Sequence, residues 1–108
     1  MNSHDVSALI RAEIEACGTL DQSHNFDLDS SLVTPRRASV RNTFPHPDSP
    51  NPRYLDLWIV LEENPGSTEG YIIVFDEEDR RFGLASASSP QPIFLGWHGG
   101  FVDTLQGM

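Results

Sequence analysis

Asp76, Glu77, Glu78 and Asp79 stand in an unbroken row, the densest set of groups in the chain that could hold a cation. A calcium loop takes its ligands from alternating positions and bends at a glycine. Neither feature accompanies this row, so it reads as a solvated hairpin tip followed by Arg80 and Arg81. Glu62 and Glu63 close a strongly alternating stretch and could form a paired-carboxylate site with Glu69 across a hairpin, although charges at a strand end also keep it wet and discourage edge pairing. His98, between Trp97 and Gly99, stands where a general base could sit. No serine or cysteine around it has the context of a nucleophile, and it reads as a turn histidine. His4, His24 and His46 lack the close spacing of zinc ligands. Cys17, the single cysteine, excludes an internal disulfide and falls on the apolar face of a predicted helix as an inert thiol. These residues assign no catalytic group, no metal site and no cofactor.

Sixteen Asp and Glu stand against seven basic residues, all arginine, for a formal charge of -9 over 108 residues. That charge repels phosphate backbones and anionic lipid and favours a cationic protein partner, so neither nucleic acid nor a membrane surface is expected as a partner. Arg36, Arg37, Arg41 and Arg53 make one region locally basic. They lack a Gly-rich phosphate loop or interleaved aromatics and are expected to pair internally with the acidic excess. The longest apolar runs, Leu57 to Leu61 and Tyr71 to Phe75, fall far short of the ~20 residues that span a bilayer. The first residues lack a basic stretch followed by a hydrophobic one, and a cytoplasmic location is expected.

The elements that must position these groups follow from periodicity. Val6, Leu9, Ile10, Ile14 and Cys17 recur at helical spacing, which predicts an amphipathic helix from about Val6 to Cys17, capped by Ser3 or Asp5 and ended by Gly18. Thr19 to Pro35 reads as loop, Ala38 to Phe44 as a first strand, and Pro45, Pro47, Pro50 and Pro52 as an extended surface loop. Tyr54 to Glu62 is the clearest strand: Leu55, Leu57, Ile59 and Leu61 share one face, and Tyr54, Asp56, Trp58, Val60 and Glu62 the other. After the Asn64-Pro65-Gly66 turn signal, Tyr71 to Phe75 is apolar on both faces and reads as central. Phe82 to Ser86 and Ile93 to Trp97 add strands, and Phe101, Val102 and Leu105 mark a short closing helix.

The sum is an α+β fold over residues 1–108, read as a single domain. It comprises an antiparallel four- to five-stranded meander with an N-terminal amphipathic helix and a short C-terminal helix. One long helix covers one face of such a sheet, leaving the other partly open or overlaid by residues 19–35. Tyr54, Asp56 and Trp58 on that open face, with Glu62 and Glu63 at its strand end and Asp76, Glu77 and Glu78 at the next turn, form the predicted partner-binding set.

The order Leu57-Trp58-Ile59-Val60-Leu61-Glu62-Glu63, then Gly70-Tyr71, then Phe82-Gly83-Leu84-Ala85, then Gly100-Phe101 with Thr104-Leu105, resembles small bacterial toxin-immunity proteins over about the C-terminal half. The resemblance implies a small acidic α+β domain that occupies a toxin's active site or docks beside it, with no catalytic residues to carry over. The expectation is therefore a non-catalytic immunity or inhibitor protein that neutralises a basic toxin domain. Two alternatives stand beside it: a self-associating structural or regulatory protein that forms a homodimer through the open sheet face or an edge strand, and a small enzyme or ligand-binding domain around His98.

Overall fold

The computed structural model describes residues 1–17, 32–42, 53–64, 69–88 and 91–107. Helix α1 (Ser3–Cys17) begins about a turn before its apolar periodicity does. The Asp5 N–H donates to Asn2 Oδ1 at 2.9 Å, and the Asn2 N–H donates to Asp5 Oδ2 at 3.1 Å. This reciprocal capping box satisfies two of the orphan donors at the helix start. Asn2, not Ser3 or Asp5, is thus the cap, and Asp5 supports it from the third helical position.

The closing helix α2 (Phe101–Gln106) is capped from outside itself. Gly100 has no side chain to offer, and the Phe101 N–H donates instead to Glu13 Oε2 of α1 at 2.6 Å. A Cβ on Gly100 would sit 2.8 Å from Glu13 Oε1, so a side chain there would push the capping carboxylate away. Glu13→Ala is expected to lower stability by about 1 kcal/mol, the usual cost of a lost cap, whereas Glu13→Gln keeps an acceptor and loses less. Urea denaturation of the two variants checks this.

Strands β1 (Leu32–Asn42), β2 (Arg53–Glu62), β3 (Tyr71–Asp76), β4 (Arg81–Ser86) and β5 (Ile93–Gly99) pair antiparallel in sequence order. The meander then closes into a barrel through a parallel β1–β5 pairing of Arg41 with Ile93, where the Arg41 N–H donates to the Pro92 carbonyl at 2.8 Å. The predicted helices and the antiparallel meander are present. The first strand takes in Leu32–Pro35, expected as loop, while residues 19–31, the proline-rich loop at 45–52 and most of the Asn64-Pro65-Gly66 turn lie outside the described residues.

Closure changes the reading of both sheet faces. Leu57 and Ile59 of β2, Ile72 and Val74 of β3, and Phe94 of β5 pack with Val40 and Ala85 inside the barrel. Trp58, Val60, Ile73, Phe75 and Phe82 point outward and are covered by Val6 and Ile10 of α1 and by Phe101 and Leu105 of α2. The expected open face therefore does not exist on this part of the sheet: one side is filled by the strands curling onto themselves and the other by the two helices. Strands apolar on both faces need cover on each, and the register shifts in β1, β2 and β5 supply the bends that closure needs. The shift between Ile59 and Leu61 also moves Leu61 out of the Leu55, Leu57, Ile59 row and into the outer layer with Trp58.

Candidate functional site

The ends of β1, β3 and β5 meet the starts of β2 and β4 at one mouth of the barrel, which opens into a cleft of about 420 Å³. Leu55 and Leu57 lie at its base, Trp97 forms one wall, and Tyr54, Asp56, Asp76, Glu77 and Glu78 stand around it with Arg37 and Arg81. Tyr54 is 58% exposed, an aromatic side chain facing water at the rim.

Arg37 organises one side. Its guanidinium reaches Asp56 Oδ2 at 2.5 Å and Oδ1 at 3.2 Å, a bidentate pair, and its Nη1 also donates to Glu77. The hydrogen bond it donates to Asp56, opposed by partial desolvation and helped by Glu77, holds the Arg37 guanidinium above its ordinary pKa, so it carries charge at any accessible pH. Its Cζ lies 5.4 Å from the centre of the Trp58 ring, within cation–π range. The side chain thus spans β1 and β2 and draws the β3–β4 turn to them.

The turn itself is shaped locally. Asp76 Oδ1 accepts the Glu78 N–H at 3.0 Å, an Asx-type contact, and Arg80 takes a left-handed φ of 52° to let the chain reverse. Of the four carboxylates in a row, Asp76 builds the turn, Glu77 bonds Arg37, and Asp79 lies 3.4 Å from Arg81 Nη2. Glu78 is exposed, held by no other described side chain, and points its charge at solvent.

The Trp97 wall depends on a glycine opposite. A Cβ on Gly83 would lie 2.7 Å from the Gly96 carbonyl oxygen and 2.8 Å from Trp97 Cε3, so only glycine lets the indole and Phe94 lie this close to β4. Phe94 and Trp97 rings then pack with centroids 4.6 Å apart.

Five of the eight residues in the predicted partner-binding set, Tyr54, Asp56, Asp76, Glu77 and Glu78, come together here. Three do not. Trp58 is only 7% exposed, because α1 and α2 cover its side of β2 while leaving Tyr54 and Asp56 beyond their reach. It is a platform beneath Arg37, and the expectation that it lies on an open face is corrected. Glu62 lies at the opposite mouth, a cleft of about 330 Å³, bonded to Arg36 at 2.6 Å. Glu63 follows it there, its N–H donating to the Tyr71 carbonyl at 2.9 Å. Internal pairing of the basic region, expected from the sequence, is present for Arg36 and Arg37.

Comparison of the chain with protein-family models, with curated proteins and with solved structures found no match. The site is therefore read from its own chemistry. His98 lies in β5 rather than in a turn, is exposed, and lines neither mouth. Among the described residues, no group of three or more His, Cys, Asp or Glu is arranged to hold a metal ion, and no helix is long and apolar enough to cross a membrane. Arg37, Arg81 and Trp97 are the site residues that sequence reasoning missed. The one usable signal was the local excess of arginine between residues 36 and 53, read as internal pairing without a place for it.

Proposed function

We propose that this chain is a non-catalytic binding module, an immunity or inhibitor protein that acts in the cytoplasm and neutralises a basic toxin domain through the Arg37–Trp97 mouth of the barrel. The observation that carries the reading is the gathering of Tyr54, Asp56, Glu77 and Glu78 around the Arg37–Trp97 cleft, with Tyr54, Asp56 and Glu78 exposed and Glu77 half-buried. Asp56 and Glu77 are held in place by Arg37, so less side-chain freedom is lost when a partner docks. The overall charge of -9 draws a cationic surface to this rim from a distance. The self-association alternative drew on an open sheet face or an edge strand, and the covered faces of β2 with the β1–β5 pairing support the binding-module reading ahead of it.

An immunity gene lies next to its toxin, so the test is the product of the neighbouring reading frame. Expressed alone it should arrest growth, expressed with this chain it should not, and the two should co-purify at equal stoichiometry. A neighbouring product that is harmless, or that forms no complex with this chain, would overturn the proposal.

A further inference from the structure

Among the described residues, Arg37 and Arg81 bring guanidinium groups to the mouth, and they are held very differently. Arg37 has a bidentate carboxylate on one side and Glu77 on the other. Arg81 has its Cζ 4.0 Å from the centre of the Trp97 ring, yet its Nε is shut off from solvent and has no hydrogen-bond partner among the described residues. The carboxylate oxygens nearest to it are long contacts, 3.8 Å from Nε to Asp76 Oδ2 and 3.4 Å from Nη2 to Asp79 Oδ2. Asp76 is aimed by its bond to the Glu78 N–H rather than by Arg81. A guanidinium N–H denied both water and an acceptor is unfavourable, so stacking on the indole is what keeps the group where it is. The mouth therefore holds an aromatic wall, carboxylates fixed by a turn, and open volume, all partly filled by a poorly matched cation from the same chain.

We infer that Arg81 is a displaceable occupant of a cation-binding place on Trp97, and that an arginine side chain of the protein partner takes this place on docking. The inference rests on the reading of this mouth as the partner-binding site. Swinging Arg81 into solvent restores water to its Nε, uncovers the indole, and leaves Asp76 and Asp79 without a cation between them. An incoming guanidinium stacks on the same ring and reaches the carboxylates from the solvent side, where it can satisfy its donors in pairs. Arginine fits better than lysine, because the place offers a flat aromatic face and several carboxylate oxygens rather than a pocket for a point charge.

The probe is N-acetyl-arginine amide, titrated into the isotopically labelled chain while indole and backbone N–H resonances are followed. Shifts are expected at the Trp97 indole and at residues 76–81, with N-acetyl-lysine amide binding more weakly. Arg81→Gln removes the occupant and should tighten the probe by about three- to tenfold at the same resonances, and adding Trp97→Leu should abolish that gain. A folded Arg81→Gln variant that binds no more tightly, or shifts centred on the Glu62 mouth, would overturn the inference. If Arg81→Gln fails to fold, Arg81→Lys keeps the charge and the stem but stacks less well, and it too must bind the probe more tightly than the parent chain. The probe needs no protein partner, so the two readings fail separately. A probe site at Trp97 without any toxin complex sinks the proposed function alone, and a toxin complex without a probe site at Trp97 sinks this inference alone.

Discussion

Trp58→Ala is expected to lower folding stability by about 3–5 kcal/mol, the range for truncating a large aromatic side chain in a packed layer. The indole is 7% exposed and sits in the outer layer with Val60, Phe75, Val6 and Ile10, so its loss leaves a cavity between β2 and the helices. Trp58→Phe should cost clearly less, since Trp58 Nε1 has no hydrogen-bond partner to lose among the described residues. Urea denaturation measures both. In a Trp97→Phe background, the remaining Trp58 emission should be blue-shifted and resist acrylamide quenching in the free protein. A stability loss under about 1 kcal/mol, or a freely quenched indole, would mean that the helices do not cover this part of β2.

The misreading of Trp58 shows what alternation can and cannot say. Period-two patterning assigns Tyr54, Asp56, Trp58 and Val60 to one side of β2, and the structure agrees. Burial along that side changes sharply from Asp56 to Trp58, because the helices reach only so far along the strand. Neither the reach of a helix nor the curling of a sheet is written in the periodicity of a single strand. The apolar content of both faces of Tyr71 to Phe75 did indicate a central strand with cover on each side, and the barrel is the form that cover takes. The register shift that carries Leu61 to the outer layer has no residue signal in β2, which holds no glycine or proline at that point.

The site was half legible for a related reason. Carboxylates at strand ends and turns announce themselves by type and position, so Asp56, Asp76, Glu77 and Glu78 were found. Their organiser was not, because Arg37 meets Asp56 across 19 residues and Glu77 across 40, distances that only the β1–β2 register and the β3–β4 turn collapse. Glu13 hid in the same way, reading as the polar face of a helix until α2 presented it with a bare N–H 88 residues on. Gly83 and Trp97 are likewise unremarkable in sequence and become a matched pair only once β4 and β5 lie side by side.

Reversing charge at the mouth should weaken the complex with the neutralised partner far more than reversing it at the other end of the barrel. Glu78→Arg is the cleaner single change, since the side chain is exposed and no other described side chain holds it. Combined with Asp56→Arg, it is expected to raise the dissociation constant by about a thousandfold, about 4 kcal/mol, as two attractive contacts become repulsive. Asp56→Arg also sets a cation beside Arg37, so thermal melting of each variant must accompany the affinity. Glu63→Arg, beyond the opposite end of β2, should change affinity by less than about threefold, which separates contact at the mouth from the mere loss of overall negative charge. Rates complete the argument. Association of the parent chain should slow steeply between about 0.1 and 1 M salt, as the screening length falls from about 10 Å to about 3 Å, while dissociation changes less. The doubly reversed chain should show a much flatter salt dependence. Unchanged affinity in a folded Glu78→Arg chain together with salt-independent association would remove the acidic rim from the recognition of the partner.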